Sequence, residues 1–426
     1  MLDIKYIEQN PEKIKEILQK RFSKIKTQEV DKLLKNYTDW KKQKHEIDLL
    51  RQKRNQLSEQ VNLLKKQKKS VEKVLKEIKE IPDKIKKYEN EAEKIKNKVD
   101  ASLKLLPNFL HEEVPIAESE DKNVTLRTFG KKSTLSFSPK SHVDLIEDLN
   151  LVEMDQAAKV SGARFYYLKN DLVELDEAVL QFARDTIKQK GFTLVRTPDI
   201  LRKQAIQGAA ELADFEETLY KIEDKEEELF LIATAEHTLL ALHMDQVLQK
   251  LPLKYCGTSN CYRREAGAHG KDTKGIFRVH EFRKVEQVIY ADPEKSWDYF
   301  KELIANTEEI FKALELPYRV ISIVSGALNN AAAMKYDLEV WMPAQQLYRE
   351  MVSCSNCLDY QARKLNIRFQ NKGKLEYVHL LNCTAVATPR ILAAILENYQ
   401  QADGSVKIPK VLQKYMDGKT QIKKKN

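Results

Sequence analysis

Nowhere in its 426 residues does the chain hold a run of eighteen apolar residues, and its opening stretch, MLDIKYIEQN, lacks the apolar core of a secretory leader. No membrane association is expected, and a cytoplasmic location is. Cysteine is scarce: there are five, all between Cys256 and Cys383, too few and too clustered for a secreted disulfide scaffold. The pairs Cys256-x4-Cys261 and Cys354-x2-Cys357 could offer four thiolates to zinc, but buried free thiols are the expectation, with no structural zinc. Glycine is absent before Gly130, and the first 105 residues hold only two prolines, Pro11 and Pro82. That quarter is helical material. Neither Gly-x-x-x-x-Gly-Lys nor Gly-x-Gly-x-x-Gly occurs, so neither common phosphate loop is available for a nucleotide.

What is present divides the chain in two. Residues 1–105 carry 29 Lys/Arg against 18 Asp/Glu, whereas the rest carries 44 against 46, so the first quarter holds the whole excess behind the net charge of +9. Within it Val30, Leu33, Tyr37, Trp40, Ile47, Leu50, Leu57, Val61 and Leu64 recur at three-four spacing with skips. Val71, Val74, Ile78, Ile81, Ile85, Tyr88, Ala92, Ile95 and Val99 repeat the alternation without error. Such seams predict two coiled-coil helices, and the polar KKQKKS between them predicts the turn of an antiparallel hairpin. Pro82 is expected to kink or restart the second helix. A bare basic coiled coil is equally well a dimerisation or spacer element; the positive surplus favours a polyanion read by shape.

The stretch LLPNFLHEEVPIAESEDKNV, with Pro107 and Pro115, breaks the pattern, so 106–130 is expected to link the arm to a domain spanning 131–426. Strand-like runs there (FTLVRTP, LFLIA, KYCGTSNCYR, FRVHEFRKVEQVIY, YRVISIV, YVHLLN) mix with helical ones without a regular crossover rhythm. The pattern predicts an α+β fold, an antiparallel sheet flanked by helices.

One segment stands out: CYRREAGAHGKDTKGIFRVHEF, Cys261 to Phe282. If Tyr255–Arg264 and Ile276–Tyr290 form antiparallel strands, Glu265 to Gly275 makes a long basic loop. The period of two then places His280, Phe282, Lys284 and Glu286 on one face, with Phe282 and Glu286 roughly 13 Å apart. An aromatic plate, an arginine from the partner strand and a carboxylate suit a purine, a phosphate and an ammonium group in line. Taken alone, the same residues describe an ordinary charged surface hairpin.

Further motifs decide between these. The Arg-x-Glu, loop and late Phe resemble the second signature of class II aminoacyl-tRNA synthetases. Among them the chain is most similar to seryl-tRNA synthetases, through QAAKVSGARFYYL, LIATAEH, KDTKGIFRVHEFRKVEQ, EVWMPAQQLYREMVSCSNCLDYQARKL and LNCTAVATPRILAAILENYQ. The wording VSCSNC and LNCTAVAT is closest to archaeal and eukaryotic members. Pro198, after GFTLVRTP, stands where the first signature is expected.

The resemblance implies the class II fold, an antiparallel sheet with an N-terminal helical coiled-coil arm for tRNA, and ligation of L-serine to tRNA(Ser) through seryl-adenylate, with tRNA(Sec) a second acceptor where present. It implies ATP and Mg²⁺ as cofactors and a homodimer. Carried over by position, Arg263 grips the ATP α-phosphate and touches serine, and Arg390 holds the γ-phosphate. Phe282 stacks on adenine, Glu265 meets its amino group, and the backbone of Arg278, Val279, His280 and Glu281 borders it. Glu350 and Ser353 ligate Mg²⁺, while Thr234, Glu236, Glu286 and Thr384 select serine. Arg263, Glu350 and Arg390 form the catalytic set.

Three departures stand beside the match: Tyr262 and Arg264 flank Arg263 where Phe and a small or polar residue are usual, and Ser325–Asn329 lacks the family's common Asp. Two other classes remain open, a degenerate paralogue kept for structure and a ligase charging a carrier protein. The intact Arg263, Glu350 and Arg390 argue against the first, and the long arm against the second.

Overall fold

The computed structural model describes residues 1–210, 218–265, 272 and 274–424. The chain divides into two compact units, Met1–Pro107 and Asn108–Asn426.

In the first unit, short helices Ile4–Gln9 and Pro11–Lys20 precede two long ones, Gln28–Lys66 and Glu72–Leu105. At 39 and 34 residues the long helices reach about 58 and 51 Å at 1.5 Å per residue. They pair along the expected seams: Ile47, Ile81, Ile85 and Ala92 are buried together, with Trp40, Leu50, Leu57 and Tyr88 packed against them. Arg51–Glu89 at 2.8 Å and Lys53–Glu77 at 2.5 Å bridge the helices; exposed pairs of this kind add little energy. The second helix does not restart at Pro82, which lies inside Glu72–Leu105. Its neighbour Ile81 is held in the seam at 3% exposure, so packing outweighs the one missing backbone hydrogen bond.

The second unit is built on an eight-stranded sheet: β1 Val124–Phe129, β2 Thr193–Arg196, β3 Leu253–Tyr262, β4 Glu281–Ala291, β5 Tyr318–Ser322, β6 Met334–Met342, β7 Leu347–Asn356 and β8 His379–Ala387. Their order is β1-β5-β6-β7-β8-β4-β3-β2. Every pairing is antiparallel except β2 with β3. Helices Asp171–Gln189, Ser296–Ala313 and Thr388–Tyr399 supply Leu172, Val179, Phe300, Leu303, Ile391 and Ile395 to the core they share with the strands.

Two boundaries differ from expectation. The stretch 106–130 contains β1, an edge strand paired with β5, and the buried Asn108 amide donates to the carbonyls of Ala331 and Cys357 at 2.8 Å each. Five of the six β1 residues are exposed, so VTLRTF has no buried face to mark it as a strand. The return strand starts at Glu281 rather than Ile276 because Arg278 turns its side chain to Glu265 at 2.9 Å and the His280 amide donates to the Arg164 carbonyl at 3.2 Å. Of the loop expected between Glu265 and Gly275, residues 266–271 and 273 lie outside the described residues. All five cysteines are buried and none is in a disulfide, and burial pushes the Cys256 thiol up to about 12. Cys256 and Cys261, five apart on β3, point to opposite faces.

Candidate active site

The four adjacent strands β3, β4, β7 and β8 form the floor of the site. One cavity is lined by Arg263, Glu265, Arg278, Val279, Phe282 and Arg390, among others. Arg263 follows β3, where its Nε donates to the Ala233 carbonyl at 3.2 Å and its guanidinium lies 5.1 Å from the Phe282 ring centre. Glu265 takes a left-handed conformation, φ +47°, and is tied to Arg278. Arg390 enters from the first turn of Thr388–Tyr399, whose Pro389 suits a helix start because its missing N–H is not needed there. His280 and Glu281 do not line this cavity. The His280 ring stacks on Phe165 at 5.2 Å, and Glu281 is exposed.

A second cavity adjoins the first and is lined by Thr234, Glu236, Glu286 and Thr384. Thr234 caps the short helix Ala235–Ala241, accepting from the Glu236 amide at 3.2 Å. Thr384 Oγ1 donates to Glu286 Oε2 at 3.1 Å. Burial raises the carboxyl of Glu286, which the Lys284 ammonium 2.7 Å away partly offsets. Burial and the charge of Glu286 raise Glu236 to about 7. At Glu350 burial pushes upward but the cations Arg390, Lys335, Arg263 and Lys284 outweigh it, so this carboxyl is held below its ordinary range. Its side chain is 47% exposed toward the open cavity, where that charge can be used.

Two irregularities in the sheet aim these groups. Glu350 and Ser353 are three residues apart, which on a regular strand puts them on opposite faces. On β7, however, Glu350 faces Glu339 and Val352 faces Leu338, leaving Met351 as an extra residue. The bulge turns Glu350 and Ser353 into the same cavity. On β8 the pairing runs Ala387 with Lys284, Val386 with Val285, then Thr384 with Glu286, so Ala385 is extra and brings Thr384 opposite Glu286.

The two cavities share Arg263, Lys284, Glu350, Ser353 and Thr384. The geometry thus joins an aromatic and arginine-lined compartment to a buried acidic one. The class II core model for Gly, His, Pro, Ser and Thr synthetases matches residues 220–399, and the seryl-tRNA synthetase N-terminal domain matches 1–110. The serine–tRNA ligase of Pyrococcus horikoshii is 47% identical over 439 aligned residues, covering 97% of this chain and 96% of that protein. The chain belongs to the seryl-tRNA synthetase family. Among solved structures, the P. horikoshii seryl-tRNA synthetase complexed with ATP superposes with a TM-score of 0.94 at 46% identity, each chain covered completely. The cytoplasmic serine–tRNA ligase of Naegleria fowleri in complex with AMP gives 0.90 at 36% identity, covering 100% of this chain and 99% of that one.

In this synthetase three residues at the site had no role assigned from sequence. Phe277 has two guanidinium groups against its ring, Arg349 at 4.1 Å and Arg390 at 5.5 Å, and Arg349 is in turn paired with Asp272. Lys284 stood on the expected face of β4 but had no function there. Its Nζ lies 2.7 Å from Glu286 Oε2 and 3.0 Å from Thr234 Oγ1. The period of two could have flagged Lys284; nothing local marks the Phe277 contacts.

Proposed function

We propose that this chain ligates L-serine to tRNA(Ser) in the cytoplasm, and to tRNA(Sec) where present, in two steps. In the first, the serine carboxylate attacks the ATP α-phosphate and pyrophosphate leaves. In the second, a hydroxyl at the tRNA 3′ end attacks the adenylate carbonyl and AMP leaves. The observation that carries the reading is that Arg263 lies in the wall common to both cavities; in this reading a carboxylate on the acidic side meets a phosphate on the aromatic side there. A guanidinium fixed there stabilises the negative charge that builds on the α-phosphate during attack.

Phe282 is assigned to adenine, with Glu265, Arg278 and Val279 beside it, and Arg390 to the γ-phosphate. The backbone of His280 and Glu281 is assigned a lesser part, since neither residue lines the cavity. Glu236, Glu286, Thr234 and Thr384 take the ammonium and hydroxyl of serine. A buried site of this polarity rejects alanine because its own groups are then left unpaired. Glu350 and Ser353 offer oxygen donors in the nucleotide compartment, and Glu350 is held charged there, which fits Mg²⁺. Bound with ATP, that ion would neutralise phosphate charge.

The hairpin of 1–105, with its positive surplus, is assigned to tRNA, and 131–426 to catalysis. A homodimer is part of this reading, carried by the family likeness. The test is ATP–pyrophosphate exchange across a panel of amino acids, followed by charging of tRNA(Ser) and of a carrier protein. Exchange confined to serine with transfer to tRNA is expected. No exchange, or transfer to the carrier protein only, overturns the reading.

A further inference from the structure

The most buried cation of the site makes the contacts a substrate should make. Lys284 is 7% exposed, and its ammonium is held by Glu286 Oε2 at 2.7 Å and Thr234 Oγ1 at 3.0 Å. Those are two of the groups assigned above to the amino acid. Thr384 donates to the same Oε2, so the internal ammonium and the threonine hydroxyl together reproduce the polar pattern that serine presents with its own ammonium and hydroxyl. Two positive groups cannot both occupy the space between Thr234 and Glu286. The side chain also has somewhere to go, because Lys284 lines the nucleotide compartment as well, beside Arg263, Glu350 and Arg390.

We propose that Lys284 is an internal stand-in for the serine ammonium: it holds the recognition position between Thr234 and Glu286, and serine, on binding, displaces it toward the reacting carboxylate and α-phosphate. The inference rests on the serine reading given above. It has two physical consequences. Lys284 gives Glu286, a carboxylate that burial alone would make costly, a counter-charge before serine binds. Arrival of the amino acid then delivers a second cation next to Arg263, so the charge that stabilises the transition state is assembled only when the substrate is in place. The two roles separate on measurement. A lysine that is merely part of the serine pocket helps serine bind, whereas a displaced one competes with serine and helps only the chemistry.

Lys284→Met is the test, in the full-length enzyme, with Lys284→Gln as a second variant if the first does not fold. Serine binding is measured by calorimetry without ATP at pH 8, and exchange is measured at saturating serine and ATP. Serine affinity is expected to hold or to tighten up to about tenfold while the exchange kcat falls ~10²-fold or more, the usual scale for loss of one transition-state charge. Weakened serine binding, whatever happens to kcat, overturns the proposal, and so does unchanged binding with unchanged kcat. The wild type separates this from the underlying assignment. If it exchanges with a different amino acid, the serine reading fails and displacement is measured with that amino acid instead.

Discussion

Arg390 Nη1 donates to the backbone carbonyl of Glu350 at 3.1 Å and lies 3.5 Å from that residue's Oε1. One guanidinium therefore holds the strand that carries the carboxylate and keeps the carboxylate charged. Both residues line the cavity that also holds Phe282 and Arg263. Arg390→Ala and Arg263→Ala are each expected to lower serine-dependent pyrophosphate exchange by ~10²–10³, the scale for removing one preorganised donor. Melting temperatures should move little, because neither residue belongs to the core. Near-normal exchange in either variant counts against the assignment.

Thr384→Val removes the 3.1 Å bond from the Thr384 hydroxyl to Glu286 at the acidic end, and Glu286→Gln removes the carboxylate's charge there and one of its two acceptor oxygens. A lost partner for a buried polar group costs about 1–3 kcal/mol, so the apparent KM for serine should rise roughly ten- to a hundredfold. The KM for ATP should change far less. Equal rises in both would show that these residues do not face the amino acid.

Excision of Thr27–Ser102 removes the long hairpin and none of the residues that line the two cavities. Exchange should survive and tRNA charging should collapse. In the intact enzyme, charging should weaken steeply with salt while exchange does not, since lost phosphate contacts forfeit counterion release. Neutralising Lys65, Lys66, Lys68 and Lys69 at the tip should raise the KM for tRNA first. An armless enzyme that charges tRNA as well as the intact one would falsify this division of labour.

Glu236 sets a pH dependence. Its carboxyl is raised to about 7 by burial and by Glu286, so ionising it opposes folding. That cost is absent below the ordinary carboxylate range and fully present above about pH 7, which means stability falls as pH rises through this window. Glu236→Gln removes the titration. The variant should melt higher than wild type at pH 8, with the difference shrinking toward pH 5. A difference that does not vary with pH would show that Glu236 stays charged in the folded chain.

Much of the architecture is legible in the sequence because it depends on local periodicity. The seams around Ile47, Ile81 and Ala92 repeat within each helix, so no knowledge of the partner is required. Arg263, Phe282, Glu350 and Arg390 were legible through signature wording, and the structure brings all four to one cavity. The exposed edge strand β1 was not legible, because β1 owes its place to pairing with β5, almost two hundred residues away in sequence. Nor was the facing of Glu350 with Ser353: a spacing of three denies it unless the register against β6 is known. Lys284 was visible as a position and invisible as a contact, since its partners Thr234 and Glu286 converge only in three dimensions.

The extra residues on β7 and β8 have a consequence for chain length. Removing one residue from a β-strand ordinarily reverses the inward and outward parity of everything beyond the cut. At Met351 and Ala385 it would not. Without Met351, Glu350 and Ser353 become two apart and still face one way; without Ala385, the same holds for Thr384 and Ala387. Shortening the chain at these two points would straighten the strands while leaving every functional side chain on its own face. Curvature of the catalytic floor can thus be altered without turning its remaining side chains over, and single-residue deletions, usually the bluntest of changes, become the finer instrument.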